Sequence, residues 1–191
     1  MARAKSTRAK KATRSAAPRA TDAIALLKAD HRQVETWFEQ FASSRSDAKK
    51  QQLAQDICKA LKVHTRIEEE IFYPAFLEAT GDEDTHHEAE VEHDGAKKLI
   101  AAIEGSGADD DYFDARVTVL SEMIKHHVNE EEKRDGMFAE ARKSDMDLKA
   151  LGQQLAARKS ELMEGTDDEP SGGRRAGARG WPSPRRSPLN A

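Results

Sequence analysis

Four stretches of this chain each carry one histidine inside an apolar stripe, and two of them add a glutamate one helical turn later. Ile24, Leu27, His31, Val34, Phe38 and Phe41 recur at alternating steps of three and four, as do Ile57, Leu61, His64, Glu68, Ile71 and Ala75. Ala89, His93, Ala96, Ile100 and Ile103 make a third stripe, and Phe113, Val117, Leu120, Ile124, His127 and Glu131 a fourth. Such spacing gathers apolar residues on one helical face, which a bundle turns inward. Each His-x-x-x-Glu pair then shows both side chains on the same buried face.

Glycine is sparse between the chain ends and helix formers dominate. Breaks near 43–47, 80–84, 105–111 and 144–145 predict helices over roughly 22–43, 48–79, 83–104, 111–142 and 145–163. Thr21-Asp22 offers an N-cap for the first, and Gly105-Ser106-Gly107 ends the third. Connections this short force antiparallel neighbours. The expected fold is all-α: an up-down-up-down four-helix bundle over 21–143 with a short fifth helix over 144–164. The ends read differently. Residues 1–20 hold seven basic residues and no acid, and residues 165–191 are rich in Pro, Arg and Gly. Both are expected to be disordered, although the basic arm also resembles an organellar transit peptide.

Charge narrows the function. The net charge of -4 conceals a body, residues 21–164, with 19 basic and 32 acidic residues. An acidic body with basic ends suits a cation as guest and leaves nucleic-acid binding to the termini alone. One cysteine, Cys58, excludes an intrachain disulfide and multi-cysteine metal sites. It reads as a small buried hydrophobe. No apolar run approaches the about 20 residues of a membrane span, and no secretory leader is present, so a reducing, cytoplasmic setting is expected.

The halves repeat one another. Asp30-His31 corresponds to Glu92-His93, and His64 to Glu69 corresponds to His127 to Glu132, pointing to two similar two-helix units about an approximate two-fold axis. With helices alternating in direction, all six histidines and glutamates fall in one band roughly 14–22 Å from the same bundle end. Two buried carboxylates among four imidazoles, with no Lys or Arg in the seam, need a compensating cation. Six donors exceed what zinc takes from protein, and four histidines argue against calcium and magnesium. Iron fits first, with manganese and zinc behind it. Two ions use the set economically: one on His31 and His64, the other on His93 and His127, with Glu68 and Glu131 spanning both. The remaining positions would take water, hydroxide, an oxo bridge or a small molecule such as O2.

His31, His64-x-x-x-Glu68, Glu92-His93-Asp94 and His127-x-x-x-Glu131 together resemble the hemerythrin-like, HHE cation-binding family over roughly residues 21–142. The resemblance implies a four-helix bundle around two oxo- or hydroxo-bridged irons that bind or react with O2 and related oxidants. It also implies His31, His64, Glu68, His93, His127 and Glu131 as ligands. The chain departs from the O2-carrying hemerythrins, whose third helix bears two histidines one turn apart; Ala89 and Lys97 flank His93 at that spacing. Glu90, at i−3, is the candidate to fill the gap. The expected function is thus binding or sensing of O2, peroxide or nitric oxide. The alternatives are an enzyme turning over peroxide or nitric oxide, an iron-handling protein, and a nucleic-acid-associated protein acting through its basic ends. A ferritin-like oxidase ranks low, because only Glu90-x-x-His93 fits its Glu-x-x-His pattern.

Other polar residues read more plainly. His86, His87 and His126 are expected off the inward face, with a small role in proton or ion passage left to His86. Glu69, Glu70, Glu130 and Glu132 are expected on the solvated face, Glu69 alone being near enough to reach a metal. Tyr73 is a candidate outer hydrogen-bond donor, and Pro74 is expected to kink the second helix, with Gly136 weakening the fourth.

Overall fold

The structure is a computed structural model and describes residues 22–165. The basic arm, the Pro/Arg-rich tail and Trp181 within it lie outside the described residues. Asp22 caps α1 (Ala23–Ser43) by accepting a 2.7 Å hydrogen bond from the Ala25 N–H, as Thr21-Asp22 suggested. Ser46 and Asp82 cap α2 (Asp47–Ile67) and α4 (Glu83–Glu104) in the same manner. Each cap satisfies a backbone donor that the first helical turn leaves free. Gly81 ends α3 (Tyr73–Thr80) at φ 71°, a left-handed conformation that glycine adopts without Cβ strain.

The second rod is continuous from α2 into α3 through a π-helical turn, Glu68–Phe72, in which the Tyr73 N–H reaches back to the Glu68 carbonyl. Pro74, in the first turn of α3, has no N–H to give. The wider turn lets the chain pass the proline and inserts one extra residue beside Glu68, a distortion common at functional sites.

The fourth rod departs from the expectation of one helix over 111–142. It consists of α5 (Phe113–Glu132) and α6 (Met137–Lys143), joined by a sharp turn. The cause is a close backbone approach at Gly136, where a Cβ would stand 2.1 Å from the Glu130 carbonyl oxygen. Only glycine fits there.

α1 lies between α2 and α5, and α4 touches the same two helices, which closes the four-helix bundle. α7 (Leu148–Gly165), the fifth helix, crosses α1, α2 and the π turn. Two apolar clusters fill the interior. One gathers Val34, Phe38, Ile57, Leu61, Ile100, Leu120 and Ile124; the other gathers Ile24, Leu27, Ile67, Phe72, Phe76, Met137 and Phe138. The histidine layer lies between them, since each histidine interrupts its own helix's apolar stripe. No strand occurs among the described residues, and no helix there is long and apolar enough to cross a membrane.

Candidate metal centre

All four seam histidines and both glutamates are buried, Glu68 completely and Glu131 to within 2%. The Nε2 atoms of His31 and His64 are 3.0 Å apart, and those of His93 and His127 are 3.3 Å apart. Glu68 Oε2 lies 3.2 Å from His64 Nε2 and 3.4 Å from His93 Nε2, touching one histidine of each pair. Glu131 Oε2 does the same at 3.5 Å from His31 and 3.7 Å from His127. The six expected side chains therefore converge, in the pairs that the duplicated halves suggested. His31, His64 and Glu68 form one compact donor group, and Glu68, His93 and His127 a second.

The outer nitrogens decide what the inner ones can do. His31 Nδ1 meets Glu132 Oε1 at 2.8 Å, and His93 Nδ1 meets Glu69 Oε1 at 2.9 Å. His127 Nδ1 meets Glu92 Oε2 at 2.7 Å, and His64 Nδ1 meets Asp30 Oδ2 at 3.5 Å. The pattern obeys the two-fold relation. The acid preceding the histidine of α1 or α4 holds the histidine of α2 or α5, and the acid following each buried glutamate holds the histidine of α4 or α1. A neutral imidazole that donates from Nδ1 carries a lone pair on Nε2. Four such lone pairs face one another in the centre, and a cation is what satisfies them.

The carboxylates point the same way. Both oxygens of Glu68 and Oε2 of Glu131 are buried without a well-aligned donor. Leaving such groups ionised and uncompensated costs several kcal/mol. Protons can substitute for part of the missing charge. Burial alone would lower His64, but the Glu68 charge and the Asp30 hydrogen bond override it and raise this imidazole to about 10. Burial is likewise overridden at His93, raised to about 9 by the nearby carboxylates of Glu68 and Glu69. Burial and the neighbouring His64 charge push His31 down to about 4. Burial works against ionisation of Glu68, yet His64 and His93 hold it well below the usual carboxylate range. Glu131, desolvated and facing the Glu68 charge, rises to about 7. The donor set fits two cations that share the carboxylates.

Tyr73 adds a phenol to this layer, donating to Glu131 Oε1 at 3.2 Å and standing 3.2 Å from His93 Nε2. Burial, then the Glu131 and Glu68 charges, raise it well above its ordinary value, so it keeps its proton. Phe138 stacks on His31, with ring centroids 5.8 Å apart. A cavity of about 110 Å³ reaches the histidines beneath α7, walled by Val34, Trp37, Ala60, Leu61 and Ile124. Lys159 and Met163 of α7 also line it, and Lys159 forms an ion pair with Asp30.

Glu90 requires a correction: it does not join the cluster. Three residues before His93 it points off the seam, is exposed, and sits 3.8 Å from His86 Nδ1; Ala89 takes the inward place. Glu69 and Glu132 are corrected too, from solvated face to anchors of His93 and His31. Together with Asp30 and Glu92 they were the functional residues hardest to see. The repeat that aligns Asp30 with Glu92, and Glu69 with Glu132, is the signal that could have found them. Cys58 is buried, and burial pushes its thiol up to about 12, as suits an inert core residue.

A solved structure of a hemerythrin HHE cation binding domain-containing protein from Mycobacterium kansasii superimposes with a TM-score of 0.63 at 23% identity, covering 75% of this chain and 88% of that one. A curated relative, described as a DNA nickase from Nostoc sp. (strain PCC 7120 / SAG 25.82 / UTEX 2576), is 30% identical over 107 residues. That match takes in 56% of this chain but only 30% of the relative, so the chain corresponds to less than a third of that protein's length. The hemerythrin HHE cation binding domain profile matches residues 22–139, which embrace the whole donor layer. The chain therefore belongs to the hemerythrin HHE cation-binding domain family, a metal-binding family with this helical bundle as its fold.

Proposed function

We propose that this is a non-haem di-iron protein of the cytoplasm that binds or senses O2 or a related small oxidant, peroxide or nitric oxide. The observation that carries the reading is the inward convergence of four Nε2 atoms whose Nδ1 partners are all carboxylates, around two carboxylates that each reach both histidine pairs. His31 and His64 would hold one iron, His93 and His127 the other, with Glu68 and Glu131 shared. Iron so held supplies electron exchange with small oxidants. The chain's own residues set the conditions: Asp30, Glu69, Glu92 and Glu132 fix the imidazole tautomers, and Tyr73 keeps a proton against Glu131. The apolar cavity supports a small neutral ligand over a charged one.

Metal analysis with an optical spectrum tests this. About two irons per chain, with the near-ultraviolet absorption of irons sharing a bridge, is the expected result; one zinc per chain and no such band contradicts it. Tyr73 favours a second reading, turnover of peroxide or nitric oxide, because a buried phenol that stays protonated beside Glu131 can steady a reacting molecule by hydrogen bonding. Peroxide consumption by the iron-loaded chain that vanishes in His64→Ala would select that reading over simple binding. The likeness to a nickase motivates one added assay, relaxation of supercoiled plasmid by the loaded chain.

A further inference from the structure

A second cavity, of about 80 Å³, opens where α5 breaks before α6. Its floor is His127 and Glu131, and its rim carries Glu88, Glu92, Glu130 and Asp135. Lys133 also lines it, but its ammonium is paired with Glu130. Two of these rim residues, Glu88 and Glu92, and the neighbouring His126, which does not itself line the cavity, bring one donor atom each within 4.8 Å of one another. Glu92 faces both ways: Oε1 lies 3.2 Å from His126 Nε2, and Oε2 holds His127 Nδ1 at 2.7 Å.

Acidic side chains at a surface do not make a site by themselves. Here the cavity leads to a buried donor that wants a cation, because Glu131 lines it and the Oε2 that this residue turns toward His31 and His127 has no hydrogen-bond partner. The backbone break makes this contact available. Had the fourth rod continued as one helix, its next turn would follow Glu131; instead the chain turns away through Gly136, itself part of the wall. The cavity has room for several waters, so a partly hydrated ion can occupy it. A hydrated divalent cation gains nothing from the apolar cavity under α7, whereas an acidic cleft concentrates it.

We infer that Glu88, Glu92 and His126 form an outer divalent-cation site that delivers iron, as Fe²⁺, through the acidic cavity to His127 and Glu131. The delivery half rests on the di-iron reading above; binding at the rim does not. No bond to carbon changes and no electron moves. The cation exchanges rim donors and water for the buried donors, and the protons it displaces leave to solvent.

Two measurements on the full chain test the inference separately from that reading. The first is Mn²⁺ titration followed by the proton NMR signals of the His126 ring, assigned with His126→Gln. Selective broadening that disappears in Glu88→Gln is expected; a His126 signal no more affected than that of His87 overturns the outer site. The second is the rate of Fe²⁺ uptake without oxygen by chelator-treated protein. Glu88→Gln, which leaves every buried donor in place, should slow uptake about tenfold, with final iron content and spectrum unchanged, the size expected of lost electrostatic focusing. Glu88→Asp should restore the rate. Equal rates in wild type and Glu88→Gln overturn delivery through this cavity. A chain that broadens His126 yet never fills its centre refutes the di-iron reading and delivery with it, and leaves the rim site standing.

Discussion

The two cavities that reach the histidine layer have opposite walls. Beneath α7 the lining is mostly apolar, with Val34, Trp37, Ala60, Leu61, Ile124 and Val128 beside the Asp30–Lys159 pair and all four ligand-type histidines at its depth. At the α5–α6 break Glu88, Glu92, Glu130, Asp135 and Glu131 outnumber the one cation, Lys133, and the apolar Ala89 and Met137. A small neutral molecule partitions into the first, and a cation is drawn to the second. The contrast implies that one centre is served by two routes sorted by charge, each of which a substitution can impair without touching the other.

The comparison presumes a shared centre, so the largest effect belongs to the residue that joins its halves. Glu68→Ala removes the carboxylate standing between His64 and His93, and metal content should fall below one ion per chain, measured after gel filtration. Next come the outer anchors. Asp30→Ala takes the acceptor from His64 Nδ1 and breaks the tie to Lys159 of α7. Affinity should drop about 10–100-fold by competition with a chelator.

A smaller effect sharpens the contrast between routes. Ala60→Phe places a ring in the apolar cavity. Oxidation of the loaded centre by O2 should slow several-fold by stopped-flow absorbance while iron uptake is untouched, the reverse of Glu88→Gln. Equal slowing of both processes by either substitution would merge the two routes into one.

The gentlest prediction concerns pH. His64 is held at about 10 against 6.5 for a free imidazole, so its stabilisation is complete below 6.5 and is lost as pH rises through about 10. His93 behaves alike up to about 9. His31, pushed to about 4, contributes the opposite way: fully above 6.5, and lost as pH falls through about 4. Glu131, raised to about 7 from 4.5, loses its contribution as pH rises through about 7 and offsets the His31 gain over that range. Chelator-treated protein should therefore melt highest between about pH 4.5 and 6.5 and lower on both sides. Iron-loaded protein, with four neutral imidazoles, should lose stability toward acid only.

How far the sequence reached depends on periodicity. The bundle, its trailing helix and the convergence of His31, His64, Glu68, His93, His127 and Glu131 follow from residues repeating at helical spacing, which local chemistry imposes. Glu90 failed because one residue of helical phase separates a seam position from a solvent-facing one, and Ala89 held the seam. Glu69 lay beyond a regular-helix reading, since the π turn alters the phase just after Glu68; Pro74 was the visible hint. Gly136 was seen as a weak point in the fourth helix, but that the chain would break there required the approach of the Glu130 carbonyl, a tertiary fact. His126 does lie on a helix face turned from the centre, as expected; that Glu92 of α4 reaches it at 3.2 Å is a tertiary contact no spacing shows.

The central claim is that two irons sit side by side, each on a histidine pair and both on Glu68 and Glu131. Iron-edge X-ray absorption of the loaded protein measures this most directly. An iron–iron vector of about 3.5–4 Å or shorter, with outer-shell scattering from about two imidazoles per iron, is the predicted result. Isolated iron with no metal neighbour, or a shell lacking imidazole, would contradict it.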